Sequence, residues 1–178
     1  GGIFLAGPTL RQQTKNCGHC TFGFIDTLEK RIPCKYCQGL GGYPLVSWRS
    51  EAIEILGQIN YQGELYVPEP EGCGSFSSSE LDASRQILWE RTALKAASVI
   101  AFWVPRDLGI LPGFTTNIEF GEWSGSGKCI LGHPPQAPKL GYLEYVAIEK
   151  NIPICYSLTK TMLAAKEKYH DQANHPRP

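Results

Sequence analysis

Carboxylates placed where a sheet meets a helix, and cysteines at metal-ligand spacing, are the residues of this chain that can do chemistry. Glu119 lies in Thr115-Thr116-Asn117-Ile118-Glu119-Phe120-Gly121, after the apolar run Val99-Ile100-Ala101-Phe102-Trp103 and a loop containing Gly and Pro. Thr116 or Asn117 is of the type that caps a helix, which puts Glu119 in the first turn. There the unpaired amides and the helix dipole favour the ionised carboxylate and lower its pKa. A carboxylate held charged at the C-terminal edge of a parallel sheet suits attack on, or stabilisation of, an electron-poor carbon. A solvated Glu that merely stabilises the helix start has the same local sequence. Glu90, in Leu88-Trp89-Glu90-Arg91, is the other notable carboxylate, set in a mostly apolar helix that leads into the run at Val99. Arg91 beside it reads equally well as a solvated ion-pair partner.

The cysteines carry a second signal. Cys17-Gly18-His19-Cys20 and Cys34-Lys35-Tyr36-Cys37 are two C-x-x-C knuckles, and together they complete a tetrahedral four-thiolate zinc site. Four sulfur ligands leave no open position, so zinc there is structural. Redox dithiols normally open a helix after a strand, and these knuckles do not. His19 in place of one cysteine is the alternative ligand. Such pairs fit a reducing compartment, so the expected localisation is cytoplasmic. Cys73, Cys129 and Cys155 stand alone, the last two in apolar strand-like runs. The insertion carries five basic residues, Arg11, Lys15, Lys30, Arg31 and Lys35, against two acidic ones, Asp26 and Glu29, together with Phe22, Phe24 and Tyr36. That mixture suits contact with a nucleic acid or a neighbouring subunit, or a surface ribbon with no partner.

Two glycine-rich segments are excluded as phosphate loops. Gly125-Ser126-Gly127-Lys128-Cys129 lacks the first Gly of a Walker loop and precedes a strand instead of following one. Gly7-Pro8-Thr9 has no G-x-G-x-x-G, which disfavours a dinucleotide site, although the Thr9 hydroxyl and backbone can meet a sugar or phosphate. The 178 residues carry 17 basic and 17 acidic side chains, so charge alone implies no polyanion partner. No apolar stretch is long enough to span a bilayer, and none has the form of a secretory signal.

The elements that must position these residues follow from hydrophobic pattern. Ile3-Phe4-Leu5-Ala6 is a strand stopped by Gly7-Pro8. Residues 10–44 turn Gly-, Cys- and Lys/Arg-rich, as an insertion folded around metal. Ser47 caps a helix with Ala52, Ile53, Ile55, Leu56 and Ile59 at helical spacing. Glu64-Leu65-Tyr66-Val67 is a second strand, and a Gly/Ser loop leads to the helix containing Glu90. After strand three at Val99 and the helix carrying Glu119, Lys128-Cys129-Ile130-Leu131 makes a fourth strand. Leu140 to Lys150 is amphipathic, Ile152-Pro153-Ile154-Cys155 a fifth strand, and Leu158 to Tyr169 a terminal helix before a polar tail, residues 170–178. Alternating short strands and helices specify an α/β fold: a doubly wound, flavodoxin/Rossmann-like five-stranded parallel sheet with strand order 2-1-3-4-5 and a small zinc-binding insertion.

Several of these segments, taken in order, resemble the nucleoside 2-deoxyribosyltransferase-like family. They are Ile3-Phe4-Leu5-Ala6-Gly7-Pro8-Thr9, Ser47-Trp48-Arg49, Val67-Pro68-Glu69-Pro70, Trp89-Glu90, Phe102-Trp103-Val104-Pro105-Arg106-Asp107 and the Thr115–Gly121 run. The resemblance spans residues 1–169 apart from the cysteine insertion. It implies the same doubly wound fold and cleavage of the N-glycosidic bond of a (deoxy)nucleoside or nucleotide, with the sugar passed to another base or to water. By the same resemblance Glu119 matches the catalytic glutamate that attacks the anomeric carbon, Glu90 the acid that contacts the base, and Gly7, Pro8 and Thr9 the turn bordering the sugar. Asn117 and Gly121 belong to the matching motif. Family members complete their pockets with a neighbouring subunit, which implies a homo-oligomer; Leu140-Gly141-Tyr142-Leu143-Glu144-Tyr145 offers aromatics for such a surface. Members that transfer bases often carry Asp-Asp-Gly before the glutamate, where this chain reads Leu111-Pro112-Gly113-Phe114, with Asp107 the remaining loop acid.

The residues then have expected roles. Breaking C1′–N builds positive charge on the sugar, which an anionic Glu119 stabilises or captures. Glu90 or Asp107, if protonated, supplies the departing base with its proton. Trp48 with Arg49 either positions a sugar or base, or forms a core plug with Arg49 paired to a Glu. Among Trp48, Trp89, Phe102, Trp103 and Trp123, some stack on the base and others fill the core. Two further readings stay open: cleavage of the nicotinamide bond of NAD, and a non-enzymatic nucleotide-sensing adaptor that docks through its zinc ribbon.

Overall fold

The computed structural model describes residues 1–10, 14–16, 24–26, 31–33, 35, 42–44, 46–69 and 80–174. In chain order the elements are β1 (Ile3–Ala6), β2 (Thr14–Asn16), β3 (Phe24–Asp26), β4 (Arg31–Pro33), β5 (Gly42–Pro44), α1 (Trp48–Gln58), β6 (Leu65–Tyr66) and α2 (Glu80–Ala96). They continue with β7 (Val99–Trp103), α3 (Phe114–Trp123), β8 (Cys129–Gly132), α4 (Gly141–Glu149), β9 (Ile154–Cys155) and α5 (Leu158–Asn174).

The main sheet is five-stranded and parallel, in the order β6-β1-β7-β8-β9. This is the 2-1-3-4-5 order expected from the sequence. Both faces are covered, which is why the central strands read as unbroken apolar runs and not as alternating ones. Alternation in β1 sends Ile3 and Leu5 into one core with Val99, Ala101, Trp103 and Ile130, closed by Ala52 and Leu56 of α1 and Met162 and Ala165 of α5. Phe4 and Ala6 enter the opposite core with Ile100, Phe102 and Leu131, against Leu94 of α2, Phe120 of α3, and Leu143 and Ala147 of α4. Phe102 and Phe120 meet edge to face at 5.1 Å. Cys129 is buried in this second core, as its apolar run implies, and Cys155 is half-buried.

The chain leaves β1 toward β6 on one side and returns to β7 on the other. The strand order therefore reverses between β1 and β7, and a crevice opens beyond their C-terminal ends. The elements within residues 10–44 pair separately as two antiparallel ladders, β2 with β5 and β3 with β4. Cys17, Cys20, Cys34 and Cys37 lie outside the described residues.

Several boundaries differ from expectation, among them the second strand, which is only Leu65–Tyr66 and not Glu64–Val67. The fifth strand is only Ile154–Cys155, because the Ile152 amide is used to close α4 by donating to Ala147 O at 2.8 Å and Pro153 has no amide to offer a ladder. The terminal helix continues through His170 to Asn174, so these residues of the polar tail are helical. Tyr169 packs edge-on against Tyr61 at 5.2 Å, which anchors the helix beyond the point where the apolar pattern fades. No helix among the described residues is long and apolar enough to cross a membrane.

Candidate active site

The crevice is built from the turn after β1. Gly7 sits at φ +150°, where a Cβ would lie 2.1 Å from the Trp103 carbonyl oxygen and 2.8 Å from the Trp48 ring. Only glycine lets β1 approach β7 this closely before the chain turns outward. The first turn of α1 then fixes the loop. Ser47 caps the helix, accepting from the Arg49 amide at 3.2 Å. Trp48 Nε1 donates to Pro8 O at 2.9 Å. Arg49 Nε donates to Leu5 O at 3.0 Å, and its terminal nitrogens donate to Gly7 O at 2.6 Å, to Thr9 Oγ1 at 3.3 Å and to Glu69. Trp48 and Arg49 are both buried, and the guanidinium lies over the Trp48 ring. They form the core plug and ion pair: they hold the loop, and Trp48 presents no exposed face on which to stack a base.

The opposite wall comes from the start of α3. The helix is not capped by Thr116 or Asn117. It begins earlier, at Phe114, after Gly113 in the left-handed region (φ 66°) with no side-chain cap. Thr116 is buried, and the exposed Asn117 accepts from Arg106, whose guanidinium also donates to Lys139 O at 2.6 Å. Asn117 thus ties α3 to Arg106 in the loop after β7, which in turn reaches Lys139 in the loop after β8, and Asn117 does not line the cavity. Gly121 is an exposed helical residue, also outside the lining.

With Phe114 as the first helical residue, Glu119 is the sixth and belongs to the second turn. The expected effect of a first-turn position is therefore missing, and the pKa moves the other way. Burial first, and then the charge of Glu90, push the Glu119 carboxyl up from 4.5 to about 7, with Arg49 opposing the shift. No hydrogen bond from a described residue supports its charged form.

Glu119 opens on two adjoining cavities. One, of about 170 Å³, is lined by Gly7, Pro8, Thr9, Arg49 and Pro68 on one side and by Glu90, Pro112, Gly113, Phe114, Thr115 and Glu119 on the other, with Phe4 at its floor. The second, of about 200 Å³, lies between α2 and α3 and is more apolar, with Ile87, Leu94 and Ile118 among its walls. Glu90, Thr115 and Glu119 border both. The Glu90 carboxylate accepts from Gln86 Nε2 at 2.8 Å, and Arg91 pairs with Glu122 at 2.9 Å on the surface.

Glu119, Glu90, Gly7, Pro8, Thr9 and Arg49 are thus brought together. Asp107 is not. It is exposed at a loop tip, accepting from the Gly109 and Ile110 amides, and is absent from the lining. Trp89 is 43% exposed with its ring 6.4 Å from that of Phe4, while Phe102 and Trp103 are core. Sequence reasoning missed Phe114 and Thr115 as lining residues and Glu69 as the specific partner of Arg49. The signal for Glu69 was a Pro-flanked acid directly after the short second strand. Among the described residues no group of three or more His, Cys, Asp or Glu side chains is arranged to hold a metal. No family model matches the chain, and no curated protein matches it in sequence.

Proposed function

We propose that the protein cleaves the N-glycosidic bond of a (deoxy)nucleoside or nucleotide, by hydrolysis or base transfer, with Glu119 as nucleophile. The observation that carries this reading is a half-buried carboxylate that lines, together with Glu90 and the Gly7–Thr9 turn, a cavity at the switch point between β1 and β7. The sugar sits against that turn. Glu119 Oε forms a bond to C1′ as the C1′–N pair leaves with the base, and water or an acceptor base then displaces the carboxylate. Only the ionised carboxylate attacks; burial keeps it poorly solvated, and the positive charge developing on the sugar stabilises it in the transition state. Incubation with a panel of nucleosides, nucleotides and NAD, read by chromatography of free base, tests the reading; release from none would refute it.

The pH profile separates nucleophile from acid. A Glu119 that must be ionised gives kcat/KM that rises with pH through about 7, the value burial and Glu90 impose. A Glu119 that donates a proton gives a profile falling through the same region. Glu90→Gln removes one cause of the upward shift, so the rising limb should move to lower pH as the plateau falls.

The chain's remaining parts extend the proposal. One structural zinc per chain, on Cys17, Cys20, Cys34 and Cys37, is expected from elemental analysis; metal-free protein, or those thiols found oxidised, would contradict it. An oligomer is expected from Tyr142, Tyr145 and Ile148, 79%, 68% and 70% exposed along α4. A monomeric mass by light scattering at concentrations retaining full activity would exclude a shared pocket.

A further inference from the structure

The charge of the two cavities restricts what they accept, on the reading that they form a glycosidase site. Arg49 is the cation of the first cavity's described lining, and it is already committed. Its guanidinium makes hydrogen bonds to Leu5 O, Gly7 O, Thr9 Oγ1 and Glu69, and its charge is balanced by Glu69 in a pair whose side chains are 2% and 9% exposed. In the second cavity Arg91 is balanced by Glu122. Glu90 and Glu119, which border both spaces, are the lining carboxylates that make no ion pair with a described residue. A phosphate carried on the sugar would enter this field with the wrong sign and would find no unspent guanidinium among the described lining residues.

Of the two acids that could protonate the leaving base, only Glu90 borders the cavities. A neutral base leaves as an anion unless it is protonated, and Asp107 stands away from the cavity. A base quaternised at its glycosidic nitrogen, or carrying a fixed positive charge on its ring, needs no such donor. The electron pair of C1′–N discharges the ring, the base departs neutral, and the positive charge moves to the sugar beside Glu119. The more apolar cavity between α2 and α3, walled by Ile87, Leu94 and Ile118, suits the flat ring, and Glu90 and Glu119 in the same lining suit its charge.

The geometry points to unphosphorylated N-glycosides with a cationic base, of the pyridinium or N-alkylpurinium class, as the preferred substrates of this site. The test uses the full chain with nicotinamide riboside, its uncharged 1,4-dihydro form and its 5′-phosphate. Calorimetry gives Kd for each, and chromatography gives the rate of base release. Nicotinamide riboside should bind about tenfold or more tightly than either comparator and should be cleaved fastest. Glu90→Gln should narrow the preference for the cation over the dihydro form. Equal or better binding and cleavage of the dihydro or phosphorylated compound would overturn the charge selection and leave the glycosidase reading standing. Release of base from none of these, nor from neutral nucleosides and nucleotides, would overturn both.

Discussion

Glu119→Gln is expected to lower the rate of base release by roughly 10³-fold or more, since it removes the atom that bonds to C1′ while preserving shape. The same variant is expected to be more stable than the wild type in alkaline solution. The carboxyl of Glu119 is held at about 7 in the folded chain against an ordinary 4.5, so the folded state binds its proton more tightly than the unfolded one. The stability this contributes is complete below pH 4.5 and is lost as pH rises through about 7. Above that the ionised carboxylate costs the fold on the order of 3 kcal/mol, and an uncharged amide avoids most of it. Thermal melts at pH 8 should place Glu119→Gln several degrees above the wild type, with the difference vanishing near pH 4. A variant that loses activity and also melts lower at pH 8 would assign Glu119 to packing. This combination, activity lost while stability is gained, is the mark of a carboxylate kept in an unfavourable place for function.

Arg49 should behave in the opposite way. Arg49→Met leaves Glu69 buried without its counter-ion and releases the turn at Gly7 and Thr9, which predicts a loss of about 3–5 kcal/mol in urea unfolding. Arg49→Lys should recover little, because a single ammonium cannot reach Leu5 O, Gly7 O, Thr9 and Glu69 at once. Adding Glu69→Gln to Arg49→Met should restore much of the stability, since the isolated charge is the main cost. Activity should stay low in the double variant because the turn is still unheld. A loss under about 1 kcal/mol for Arg49→Met would show the pair to be solvated and peripheral.

The sheet was legible because its signals are local and repeated. Short apolar runs such as Ile3-Phe4-Leu5-Ala6 and Cys129-Ile130-Leu131, separated by helical periodicity, leave few arrangements, and right-handed connection rules select the observed order. Ser47 was legible as a cap because its side chain acts on the very next turn. The start of α3 was not. Thr116 and Asn117 have capping side chains, but Gly113 adopts the left-handed conformation and starts the helix a turn sooner, leaving Thr116 buried and Asn117 to Arg106.

That shift of one turn reversed the electrostatics of Glu119. A first-turn carboxylate is stabilised by local amides, which sequence reveals, whereas the second-turn carboxylate is governed by burial and by Glu90, which lies 29 positions earlier (119 − 90) on another helix. Glu90 itself was picked out by its apolar surroundings. Asp107 was a candidate only by proximity in sequence, and its side chain caps its own turn. The ion pair of Arg49 was within the alternatives its sequence allowed, whereas its hold on the carbonyls of Leu5 and Gly7 was not, because those contacts cross more than forty positions of chain.

The bond between Glu119 and the sugar can be trapped directly. A 2-deoxy-2-fluoro nucleoside slows departure of the sugar from a carboxylate by destabilising positive charge at C1′. Intact mass followed by peptide mapping, after incubation with such a compound, should show one fluorosugar added per chain, on the peptide carrying Glu119, with one equivalent of base released. Base release with no adduct, or an adduct that persists in Glu119→Gln, would rule out Glu119 as the nucleophile.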